Sequence, residues 1–235
     1  MDTQEQNESV RSQLFRMSRL SQRAVDYSIK GYELGRPEFC REAYSAEKEL
    51  RNLRHGIAER GRMALAGRMP IGTDTRFACC ALRICNALHS TYNAAAAIAH
   101  DTERGLGGER KLESSIIGEM GQFVNSLVRL YTVALFNEEL QLANTVLQSD
   151  KGGRWFNLTL RQTQSDLVYR TGPRAELQLA ILENLAHIAE QSYEVAHAIA
   201  IWLEGKDCLS TTRESAPYFM RRSLPMNKTE QAGAA

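Results

Sequence analysis

This sequence predicts an all-α protein of two similar three-helix bundles lying side by side, six main helices in all, and three observations carry that expectation. Of its 235 residues 43% are hydrophobic but only 7% aromatic, with five prolines, a composition suited to Ala- and Leu-rich helix packing rather than to a β-sandwich. Apolar residues recur at three- and four-residue steps in one segment after another. The second half of the chain then repeats the order of elements found in the first, which marks an internal pseudo-repeat.

The first helix follows from Leu14, Met17, Leu20, Ala24, Ile29 and Tyr32, all in helical phase. Gly35 is its expected stop. Pro37 suits the first turn of the next helix, where a missing N–H is harmless, and a charged stretch through Glu47, Lys48 and Arg51 carries that helix to about Gly67. A loop at Met69-Pro70-Ile71-Gly72, with Thr73 or Asp74 as N-cap, opens a third helix running to about Glu103. Within it Ala94 to Ala97 combine high helix propensity with little bulk, so a second helix can approach closely there.

The second half reads the same way. Lys111 to Phe136 places Ile116, Met120, Phe123, Leu127, Leu130 and Ala134 in helical phase, and Asn137 is the expected cap of a helix interrupted at Gly152-Gly153 and resuming at Trp155. Gly172-Pro173 opens a last long helix ending near Glu204-Gly205. The segment Ala87 to Asn93 lies over Asn184 to Glu190. The expected organisation is a frayed N-terminus over 1–12, a first bundle over 13–104, a linker at 105–110, a second bundle over 111–206 and a flexible tail over 207–235.

Twenty-nine basic and twenty-eight acidic residues leave a net charge of +1, so no global field favours nucleic acid or anionic lipid. Five cysteines, none in a C-x-x-C pair, read as reduced and mostly buried. The opening residues lack the basic region and apolar run of a signal peptide, and no stretch approaches the ~20 apolar residues of a membrane span, so a cytoplasmic location is expected.

Several of these residues resemble the PhoU family of phosphate-uptake regulators. In that family each half is a three-helix bundle, the second helix carries an acidic-Lys pair, and the third opens with P-x-x-x-D-L-R and later carries E-R-I-G-D. Here Pro70 to Arg76 supply the opening, with Asp74 and Arg76 in place, and Asn93 stands at the family's distance for the later aspartate. Glu47-Lys48 and Asp150-Lys151 match the acidic-Lys pairs, and Glu190 is expected to hold the aspartate's place in the second half at the same distance after Pro173. The family's metal pattern, E-x-x-x-D, is altered: His89 and Asn93 replace both members in the first half, and Ala186 replaces the glutamate in the second. The resemblance implies a non-enzymatic, homodimeric adaptor and a negative regulator of the phosphate-starvation response. It implies partners such as an ABC-type phosphate transporter or a membrane sensor histidine kinase, through which the protein would lie peripheral to the membrane.

One further constellation stands on the residues alone. Glu183, His187, Glu190, Glu194 and His197 fall within an arc of roughly 80° on the last helix, opposite Leu185, Ile188, Val195 and Ile199. His187, Glu190, Glu194 and His197 are therefore candidate ligands for a divalent transition metal such as zinc, nickel or iron. An ordinary solvated helix face explains the same pattern. No nucleotide loop, nucleophile elbow or H-E-x-x-H motif is present, so nucleotide, nucleophile and zincin chemistries have no foothold. The alternatives to an adaptor are a metal-binding helical protein and a general helical scaffold with unrelated partners.

Overall fold

The structure is a computed structural model that describes residues 3–63, 66, 73–106, 115–169 and 172–205. Eight α-helices follow one another: α1 (Thr3–Leu34), α2 (Pro37–Tyr44), α3 (Glu47–Met63), α4 (Thr73–Leu106), α5 (Ser115–Asn137), α6 (Leu140–Leu147), α7 (Asp150–Val168) and α8 (Pro173–Glu204). No strand occurs among the described residues. The six expected helices become eight because the middle helix of each bundle is broken once, into α2 and α3 in one half and α6 and α7 in the other.

The breaks fall where no glycine or proline announces them. At the first, Ser45 Oγ donates to the Glu42 carbonyl at 2.9 Å. At the second, Ser149 Oγ lies 2.8 Å from the Val146 carbonyl and 2.6 Å from the Tyr193 hydroxyl. At each break the serine hydroxyl and its own backbone N–H converge on one carbonyl of the last helical turn. Gly152-Gly153 does not interrupt anything; both residues lie inside α7. Asn137 is the last residue of α5 rather than a cap, and α1 already begins at Thr3, within the segment expected to fray. Pro37 and Pro173 do open α2 and α8, and Gly205 ends α8 with φ 69°, the left-handed region where a side chain is costly. The expected loop at Met69 to Gly72, the linker beyond Leu106 and the tail 207–235 lie outside the described residues.

Every helix pairing within the first half has its counterpart in the second. α1 packs on α2, α3 and α4 as α5 packs on α6, α7 and α8; α2 and α3 lie on α4 as α6 and α7 lie on α8. The halves join through α4 against α8, the most extensive pairing in the molecule, and through α1 against α5. One continuous core spans both halves, beside a small separate cluster of Cys40, Ala43 and Ala99 in the first.

The repeat has a register. On α4 and α8, residues 97 positions apart share the same burial: Ile84 with Ile181, Leu88 with Leu185, Thr91 with Ile188, Ala95 with Ser192, Ile98 with Val195, and Thr102 with Ile199 are all buried. The earlier helices match at 103 positions, so Gly35 corresponds to Glu138, and both have positive φ (63° and 53°). The interval from Pro70 to Asn93 is accordingly 23 residues and that from Pro173 to Glu190 only 17. Helix register, not proline spacing, carries the repeat.

Polar contacts add direction to the α1–α5 seam. Asp26 accepts from Lys30 at 2.6 Å, Asn125 at 3.1 Å and Arg129 at 3.1 Å. Burial pushes its carboxyl up, but these three donors outweigh burial and hold it below the usual carboxylate range. At the far end, Arg76 at the start of α4 closes over Gly205, where an added Cβ would lie 2.1 Å from Arg76 Nη1. Cys40, Cys80 and Cys85 are buried as expected, whereas Cys79 is exposed. Burial pushes the Cys40 and Cys85 thiols up to about 11, which leaves them poor nucleophiles. Among the described residues no helix is long and apolar enough to cross a membrane.

Candidate functional site on the matched faces of α4 and α8

Helical phase places the expected site residues of each half on one long helix, beside the helix that precedes it. In the first half His89 sits on α4 under α3. Arg54 Nη1 lies 3.5 Å from His89 Nε2, and Asn93 Nδ2 lies 3.2 Å from His89 Nδ1. Glu47, at the first position of α3, is held by Arg51 at 2.5 Å, while Lys48 is exposed. Burial lowers the His89 imidazole, Arg54 and Arg51 lower it further, and Glu47 opposes them. Burial and the guanidinium groups of Arg54 and Arg51 thus hold the His89 imidazole, a family-like position, below its usual range.

The second half is arranged differently. His187 Nε2 lies 2.6 Å from Ser90 Oγ, and His187 Nδ1 lies 3.9 Å from Glu190 Oε2. Two turns along α8, Arg83 of α4 donates to Glu194 Oε2 at 3.0 Å and lies 3.3 Å from His197 Nδ1. Burial lowers the His197 imidazole and Arg83 adds to that, with Glu194 opposing. Burial also pushes the Glu190 carboxyl up, with His187 opposing. The four candidate ligands thus fall into two pairs, one tied to Ser90 and one to Arg83. Among the described residues no group of three or more His, Cys, Asp or Glu is placed to hold a metal ion. Arg76 is found at the α4–α8 end already described, and the side chains of Asp74, Asp150 and Lys151 lie outside the described residues.

Glu190 also lines a cleft of about 200 Å³ between α7 and α8, floored by Phe123 of α5. Phe156, Leu160 and Tyr193 complete its apolar wall, and Asn157, Arg161 and Gln164 edge it from α7. Sequence reasoning missed Arg83 and Ser90 because their partners lie on another helix. The signal that locates them is the antiparallel register of α4 and α8, in which moving from Ser90 to Arg83 moves from His187 to Glu194.

No family model matches the chain, and no curated protein matches it significantly. Solved structures do. PhoU from Pseudomonas aeruginosa superposes with a TM-score of 0.79, covering 87% of this chain and 100% of its own, at 19% sequence identity. The chain has the PhoU fold. The phosphate transport system regulatory protein PhoU from Streptococcus pneumoniae superposes at 0.74 over 87% of this chain and 98% of its own, at 14% identity. At these identities the PhoU fold is what the two have in common with this chain. The side chains at the matched faces are its own.

Proposed function

We propose that the protein is a PhoU-like cytoplasmic adaptor that restrains the phosphate-starvation response by binding partners rather than by catalysis. The observation that carries this reading is the match of the PhoU fold over the whole length of two PhoU proteins, beside the family-like residues Glu47-Lys48 and Arg76. Its partners on this reading are an ABC-type phosphate transporter, a membrane sensor histidine kinase or both, and the protein acts as a homodimer.

The test is a deletion in phosphate-rich medium, read with a reporter on a phosphate-responsive promoter. Derepression that is reversed by the intact gene is the expected result. The experiment belongs in a strain lacking any neighbouring paralogue. Unchanged reporter output in that strain overturns the assignment.

A further inference from the structure

The cleft beside Glu190 is lined by four residues smaller than their first-half counterparts, Gly153 against Leu50 among them, and by three larger aromatic ones, Phe123, Phe156 and Tyr193 against Leu20, Leu53 and Ala96. Counterparts by the two registers are Arg54 and Asn157, His89 and Ala186, Tyr92 and Ala189. In the first half the larger member of each pair fills the space between α3 and α4: Tyr92 is fully buried, and Arg54 reaches His89. In the second half Asn157, Ala186 and Ala189 line an open cleft instead.

What remains around that opening is chemically specific. Its apolar side is aromatic, with Phe123 and Phe156 at 5.6 Å between ring centroids and Tyr193 nearby. Two opposite charges line it, Arg161 from α7 and Glu190 from α8. They do not pair: the ion-pair contact of Glu190 is His187, and Arg161 makes no hydrogen bond or ion pair with any described residue. A half-buried carboxylate gains from a cation brought close to it, and an unpartnered guanidinium favours a planar carboxylate. The volume is below the ~300–1,000 Å³ of sites for drug-sized ligands, so the ligand is small.

We propose that this cleft binds a small zwitterion of the amino-acid class, with its ammonium at Glu190, its carboxylate at Arg161 and an aromatic or branched side chain against Phe123 and Phe156. Neither charge alone accounts for the arrangement. An organic cation leaves Arg161 unused, and an organic anion meets Glu190.

Calorimetry on the full chain tests this with L-phenylalanine as probe, beside phenethylamine, which lacks the carboxylate, and 3-phenylpropionate, which lacks the ammonium. L-Phenylalanine is expected to bind about tenfold or more tighter than either, the scale of one lost charge-assisted hydrogen bond. Glu190→Gln and Arg161→Gln are each expected to weaken it by a similar factor. Refilling the cleft with Ala186→His and Ala189→Tyr is expected to abolish binding while circular dichroism remains that of the parent. Phenethylamine binding as tightly as L-phenylalanine overturns the zwitterion. So does the absence of binding by L-phenylalanine, L-leucine and L-tryptophan at millimolar concentration, or undiminished binding after the cleft is filled. If the refilled chain does not fold, the two charge-removing variants decide alone. The phosphate-response reporter is independent of every one of these outcomes.

Discussion

The α3–α4 contact and the α7–α8 contact occupy equivalent places in the two halves, yet one is packed and charged while the other is open and aromatic. Both rest on the same buried stripe, since Leu88 and Leu185 or Ile98 and Val195 are equally withdrawn from water. The difference lies one helix face away, where Arg54, His89 and Tyr92 face Asn157, Ala186 and Ala189. A repeated fold thus keeps its core positions under one packing constraint and frees its lateral grooves to diverge.

The sharpest way to break that comparison is to exchange bulk across it. Tyr92→Ala is expected to destabilise by about 3–4 kcal/mol, because a fully buried ring leaves a cavity that close-packed neighbours fill only in part. Ala189→Tyr is expected to cost less, about 1–3 kcal/mol, because Ala189 is buried but lines a cleft of about 200 Å³ that can take up part of the ring. Denaturant unfolding of both variants checks the pair, and equal costs would show that the two contacts are packed alike.

A smaller effect concerns Glu190, whose raised folded pKa makes its contribution complete below the unfolded value near 4.5 and lost as pH rises through the folded one. Glu190→Gln is therefore expected to melt at higher temperature than the parent at pH 7–8, with the gap closing below about pH 4, where both chains are neutral at this position. A gap that persists at pH 3 would assign the effect to packing rather than charge. The smallest expected effects sit at the equivalent turns after α1 and α5. Gly35→Ala forces a side chain into φ 63° and is expected to cost about 1 kcal/mol. Glu138→Gly relieves φ 53° but gives up the Arg11 contact at 3.0 Å, and is expected to gain less than about 1 kcal/mol.

Much of the fold was legible because it depends on local rules. Periodicity located the long helices, and Pro37, Pro173 and Gly205 fixed ends where backbone geometry leaves few choices. Laying Ala87–Asn93 over Asn184–Glu190 gave the register that burial follows. The breaks at Ser45 and Ser149 were not legible, since a serine bonding to a carbonyl one turn back looks like any helical serine. Gly152-Gly153 misled for the opposite reason: Gly153 is buried against the cleft and its carbonyl accepts from Asn157 at 2.9 Å, so tertiary contact overrides propensity. On α8 the polar arc placed His187, Glu190, Glu194 and His197 on one face of a single helix. It did not reveal that Arg83 and Ser90 divide them, because a one-helix projection contains no neighbouring helix.

The 2.6 Å contact between Ser90 and His187 has a consequence for how such a chain diverges. The two positions are 97 residues apart, the α4–α8 register itself, so each is the other's counterpart and the pseudo-twofold axis passes between them. In an assembly of two identical single-bundle chains this place would hold one residue type facing its own copy. Joining the bundles in one polypeptide lifts that restriction, so a hydroxyl can meet an imidazole on the axis. A symmetric pair of short chains has no route to that unlike pairing, and covalent fusion of the halves supplies one.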